Sequence, residues 1–187
     1  MDRAALYRAV IAKRRAFHLR GYVSYAQAGF DGAYVCPIHL TSGNLSGVVL
    51  MTKDWLDAPS AARHAKRLAV QGYLAEIPFN RVLDRALSLS GLRRADIYIT
   101  PVFKLLPPQR SHAIPVRDIK ASFEAVSRHE IMGRPVIAAG KAAITALQAS
   151  GHIHIPTAHP SARGKDFETR ARQLAAALST AITRRAA

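Results

Sequence analysis

Gly47-Val48-Val49-Leu50-Met51-Thr52-Lys53-Asp54-Trp55-Leu56-Asp57-Ala58-Pro59 is the stretch on which the fold turns. An unbroken apolar run closed by polar and turn-forming residues reads as a strand buried on both faces, the kind found in parallel sheets. The loop behind such a strand is where α/β folds place ligands. A carboxylate there, Asp54, is held rigidly and faces a cleft; the same residue also suits a helix cap or turn.

Outward from this run the pattern repeats. Strands are expected at Gly47–Thr52, Asp96–Val102, Pro135–Ala139 and His152–Thr157. Helical periodicity separates them: Val82, Leu83, Ala86 and Leu87 with Gly91 as C-cap, then Ile119, Phe123 and Val126, then the alanine-rich Lys141–Ala149. A last helix carries Phe167, Ala171, Leu174, Leu178 and Ile182 on one face, with Arg170, Arg172 and Arg184 opposite as a solvated face. Alternating strands and helices predict an α/β protein: a three-layer α/β/α sandwich on a central, mainly parallel four-stranded sheet. No repeat or linker divides the chain, so a single domain over 1–187 is expected, with a core at 47–182. Residues 1–46 would supply an N-terminal helix (Ala5, Tyr7, Val10, Ile11) and irregular cover over one sheet edge.

With 187 residues, about half of them apolar, the chain can bury a core without staples. Its single cysteine, Cys36, excludes an internal disulfide and a cysteine-built zinc or iron–sulfur site, and suits a reducing, cytoplasmic setting. No apolar run approaches the ~18 residues of a membrane span. Twenty-seven Lys and Arg against twelve Asp and Glu leave a formal charge of +15, which favours a polyanionic partner, nucleic acid above all.

Two further loops follow strands. One is Pro101-Val102-Phe103-Lys104-Leu105-Leu106-Pro107-Pro108-Gln109-Arg110; the other is Ala158-His159-Pro160-Ser161-Ala162-Arg163-Gly164-Lys165. A lone histidine is usually structural, but His159 sits among Pro, Ser and Gly beside two cations, a setting suited to phosphate and base. His152 and His154 alternate onto one strand face without a third ligand, so no metal site is expected.

In order and spacing these segments resemble the uracil-DNA glycosylase superfamily. Thr52-Lys53-Asp54-Trp55-Leu56 stands at its first motif, Gly-Gln-Asp-Pro-Tyr or Gly-Gln-Asp-Trp-Gly. Pro78-Phe79, Gly91-Leu92, Tyr98-Ile99-Thr100-Pro101, Lys104 and Pro107-Pro108 follow the iron–sulfur branches. Val136-Ile137-Ala138-Ala139-Gly140 matches the strand ending in glycine, and His159-Pro160-Ser161 the closing motif.

The resemblance implies a monomeric, metal-free and cofactor-free glycosylase that flips a nucleotide from DNA and hydrolyses its N-glycosidic bond. Asp54 would orient water and stabilise the cationic sugar; His159 would hydrogen-bond the leaving base. Phe79 would stack on the base, and backbone near Lys53 and Asp54 would read its edge, with Trp55 and Leu56 beside it. Ser161, Lys165, Pro107 and Arg110 would meet the DNA, and Arg163 would fill the space the base vacates. Two positions depart from the pattern. The family's uracil-reading Asn falls on Pro101, so Asn80, a backbone group or a different base preference must compensate; the Tyr that excludes thymine falls on Leu56. The missing cysteines imply a cluster-free member. Three alternatives stay open: a non-catalytic DNA-binding relative, a glycosylase for hypoxanthine, xanthine or mismatched thymine, and an RNA-binding protein held by charge.

Overall fold

A computed structural model describes residues 2–110 and 112–186. The chain runs α1 (Arg3–Ala16), β1 (Val23–Ser24), α2 (His39–Ser42), β2 (Val49–Thr52), α3 (Ala58–Arg63), α4 (Ala65–Gln71) and α5 (Pro78–Leu89). It continues through β3 (Tyr98–Pro101), β4 (Leu105–Leu106), α6 (Val116–Ala125), β5 (Val136–Ala139), α7 (Lys141–Ala149), β6 (Ile155–Thr157) and α8 (Phe167–Ala186). Four strands pair in the order β3-β2-β5-β6, every neighbour parallel. This is the three-layer α/β/α arrangement anticipated from the alternation, and all four expected strands are present, each shorter than its apolar run.

The two faces of the sheet follow from the period-two alternation of strand side chains. Leu50, Ile99 and Ile137 point to one core, shared with Leu83 and Leu87 of α5 and Leu174 and Leu178 of α8. Val49, Met51, Tyr98 and Val136 point to the other, under Ile119 and Phe123 of α6 and Ala143 and Leu147 of α7. Because both faces are covered, β2 is buried along its whole length, and that is why its sequence reads as continuous rather than alternating hydrophobicity.

The strand order creates a switch point. From β2 the chain crosses to β3 on one side; from β5 it crosses to β6 on the other. The loops leaving β2 and β5 therefore diverge and open a crevice at the carboxyl ends of these strands, where open α/β sheets bind ligands.

The first 46 residues are more than a cover. Tyr25, Phe30, Val35, Cys36 and Ile38 are all buried in the cores. β1 pairs antiparallel with β4, Val23 opposite Leu106. Asp2 caps α1 by accepting from the amides of Ala4 and Ala5 at 2.9 and 3.1 Å. Buried Arg14 then ties α1 to Asp31 at 2.7 Å and to the Tyr34 carbonyl at 2.8 Å.

Candidate active site

A cleft of about 870 Å³ lies over the switch point. The loop after β2 forms one wall. Its backbone is fixed to the segment after β3: Val102 N–H donates to the Thr52 carbonyl at 2.8 Å and Phe103 N–H to the Lys53 carbonyl at 3.0 Å. Asp57 then caps α3, accepting from the Ser60 amide at 2.9 Å and hydroxyl at 2.8 Å. Asp54, caught between these anchors, is only partly exposed and lines the cleft. Lys53 Nζ sits 3.1 Å from Asp54 Oδ2 and donates to the His112 carbonyl at 3.2 Å. The ammonium and carboxylate thus enter the cleft as a pair.

His159 forms the opposite wall, on the segment continuing β6. Gly140 makes its position possible: with φ of +87°, a Cβ there would stand 2.9 Å from the Cβ of His159. Only a residue without a side chain lets the two segments approach so closely. The Ser161 amide donates to His159 Nδ1 at 3.1 Å, so the neutral ring carries its proton on Nε2. Burial pushes the imidazole pKa below its ordinary value, and Lys53 adds to that push while Asp54 opposes it. Neutral imidazole is therefore the form held at neutral pH, donor outward.

Phe79, in the first turn of α5, packs against His159 with ring centroids 5.6 Å apart at 37°. Its face and the imidazole bound one pocket, with Leu56, Ile77, Ile99, Pro101 and Ala139 supplying apolar walls. Pocket and flanking groove are lined by eleven of the sequence-predicted site residues: Lys53, Asp54, Trp55, Leu56, Phe79 and Asn80, together with Pro101, Pro107, Arg110, His159 and Ser161. Arg163 and Lys165 are exposed on the loop beyond and do not line it.

Several of these residues are engaged in holding the site together. Both ends of the buried Asn80 amide are used: Nδ2 donates to the Leu74 carbonyl at 2.8 Å, and Oδ1 accepts from Arg94 at 2.9 Å. Both polar atoms of the amide thus have protein partners. Trp55 donates from Nε1 to the Gly72 carbonyl at 2.8 Å and packs edge-on against Tyr25 and Phe30, which makes it an anchor of the loop. Pro107 is buried and accepts from the Ala58 amide at 2.9 Å.

Two contributors were not legible as site residues. Arg170, expected on a solvated helix face, instead donates to the Pro160 carbonyl at 2.8 Å and the Ala162 carbonyl at 3.4 Å, bracing the loop of His159. Its spacing on α8 gives no sign of this. Thr52, the last residue of β2, reaches the cleft floor while reading in sequence as the end of a buried strand. His152 and His154, expected on one face of a strand, instead precede β6 and are tied locally: His152 Nδ1 lies 2.9 Å from the Ser150 hydroxyl, and His154 Nδ1 2.8 Å from the His152 carbonyl.

Fold and site together define an α/β protein with a carboxylate, an oriented neutral imidazole and an aromatic face converging on one crevice. The chain belongs to the uracil-DNA glycosylase superfamily: the family model described as "Uracil DNA glycosylase superfamily" matches residues 57–180, well over half its length. That superfamily comprises DNA glycosylases, hydrolases of base-excision repair acting on damaged DNA. The match includes Phe79, Pro101, Gly140 and His159 and begins just after Asp54. No curated protein matches the chain.

Proposed function

We propose that this protein is a monofunctional DNA glycosylase that hydrolyses the N-glycosidic bond of a flipped deaminated base, uracil first among them. The convergence of Asp54, His159 and Phe79 on one pocket carries this reading. A base entering between Phe79 and the apolar walls is desolvated and stacked. As its glycosidic bond breaks, negative charge gathers on the base and positive charge on the sugar. The outward Nε2–H of His159 donates to the leaving anion, and a neutral donor held in place by Ser161 needs no reorganisation to do so. Asp54 stabilises the sugar cation and orients the water whose oxygen bonds to C1′, taking up its proton. The base departs with the bonding electron pair, and an abasic site remains.

A second reading, excision of a different lesion such as hypoxanthine, xanthine or mismatched thymine, is favoured by one observation. Pro101 has no amide to read a base edge, and Asn80 is already engaged on both sides.

The test is single-turnover excision on oligonucleotides carrying each lesion, with abasic sites revealed by alkali. Cleavage of at least one lesion is expected. Asp54→Asn and His159→Ala should each slow it about 100-fold or more, with duplex binding nearly unchanged. Full rates in either variant would remove that residue from the mechanism. DNA binding with no excision of any lesion would mark a non-catalytic relative.

A further inference from the structure

Thr52 is a buried polar residue in a place that asks for a ligand. It is 5 % exposed and lies at the end of the central strand β2, where strand alternation turns its side chain to the same face as Leu50, the face of Phe79 and His159. Its hydroxyl makes no hydrogen bond to any described residue. Nor is it sealed in the core: the only enclosed and unpaired side-chain atoms among the described residues are Arg14 Nε and Arg94 Nη1. The group opens into the cleft that it lines. Buried hydroxyls are ordinarily satisfied, and one left free at a pocket floor is poised for a bound partner.

Its neighbours sharpen this. Thr52 pairs in register with Pro101, which carries no hydrogen-bonding side-chain group, and Asn80 beyond is engaged by Leu74 and Arg94. Across the pocket stands His159, on the segment continuing β6. His159 stands over Gly140 at the end of β5, the strand next to β2, so the two walls lie between one and two strand spacings apart, up to about 10 Å. That is room for one flat base with a hydrogen bond at either end. The intervening strand ends in Ala139 and is followed by Gly140, neither with a side chain larger than a methyl.

Resting on the glycosylase reading, we propose that the Thr52 hydroxyl hydrogen-bonds the edge of the flipped base remote from His159 and is the side-chain group that sets base preference. A hydroxyl both donates and accepts by rotating. It therefore serves a keto group, as in uracil or a 6-keto purine, without the two-point amide contact that would reject other bases. Preference is consequently broader than a bidentate amide gives, and the leaving ability of the base decides among candidates.

The experiment is a cycle in which enzyme and base are both altered. Excision of uracil and of 2-pyrimidinone, which lacks the 4-keto oxygen, is measured under single turnover with wild type, Thr52→Val and Thr52→Ser. Thr52→Val preserves shape and removes the hydroxyl; it should slow uracil excision roughly tenfold, with little effect on 2-pyrimidinone. Thr52→Ser should retain most of the uracil rate, and binding to abasic product should be unchanged in both. Equal slowing of the two bases, or none, overturns the assignment while leaving the glycosylase reading intact. If wild type excises neither these bases nor any other lesion, both fall. Thermal denaturation of each variant separates a folding defect from a contact; should Thr52→Val not fold, a Thr52→Ser preference identical to that of Thr52→Ala overturns the assignment.

Discussion

At the scale of single residues, the position of His159 depends on a residue with no side chain. Gly140 leaves β5 with a positive φ, and a Cβ there would stand 2.9 Å from the Cβ and 3.5 Å from the ring of His159. Gly140→Ala therefore adds two costs: the strain of a side chain at φ of +87° and a Cβ–Cβ contact of 2.9 Å that the His159 backbone must relieve. Relief moves the imidazole relative to Asp54, and shifts of about 1 Å in a catalytic group cost roughly 100-fold in rate. The expected outcome is a fall of that order in single-turnover excision, with a stability loss of about 1–3 kcal/mol by urea denaturation. Wild-type excision by Gly140→Ala would show that His159 needs no fixed position.

At the scale of elements, the sequence disclosed most where one interaction dominates. The β2 run Val48–Met51 could only be a strand covered on both faces, and α5, α6, α7 and α8 followed from their apolar stripes. The expected strands run past the observed ends: Gly47, Asp96 and His152–His154 lie outside the strands, and Pro135 contributes only its carbonyl, which accepts from the Val49 amide at 2.9 Å. β1 and β4, two residues each, carry no periodicity at all and exist through their pairing. The candidate site was legible where motifs name loops, as with Asp54, Phe79 and His159; the bracing by Arg170 and the open hydroxyl of Thr52 arise only when distant segments meet.

Least visible was the polar cluster behind β3. Lys104 Nζ lies 2.6 Å from Glu130 Oε1, and both side chains are fully buried. Tyr98 and Thr100 donate to the same carboxylate at 2.6 and 2.9 Å, while Arg134 lies over the Tyr98 ring. In sequence these are scattered charges on unrelated elements. Lys104→Met leaves the carboxylate of Glu130 without its counter-ion, and breaking a buried pair from one side costs about 3–5 kcal/mol. Urea denaturation should register that loss. A change below about 1 kcal/mol would mean that Tyr98 and Thr100 alone satisfy the carboxylate.

At the scale of the whole molecule, the formal charge of +15 suits a DNA partner but leaves the folded state sensitive to acid. The sensitivity has an identifiable centre. The His39 side chain is buried, 2 % exposed, against Tyr98, ring centroids 4.3 Å apart. Its Nε2–H donates to the Ile99 carbonyl at 2.9 Å, and its Nδ1 accepts from the Tyr7 hydroxyl at 2.7 Å, so the network is complete with a neutral ring. Glu130 stands 3.9 Å away, too far to draw the ring into an ion pair against its burial. Burial first, then Lys104 and Arg134, hold its pKa well below the ordinary 6.5. The unfolded chain takes up a proton near that pH and the folded chain does not, so the stability is full above 6.5 and falls as the pH drops below it. His159, depressed in the same direction, adds to the loss. Urea midpoints measured downward from pH 8 should stay level to about 6.5 and then decline, the slope reporting protons gained on unfolding. His39→Gln should flatten this decline while lowering stability at neutral pH. A decline equally steep in His39→Gln would place the acid-sensitive group elsewhere.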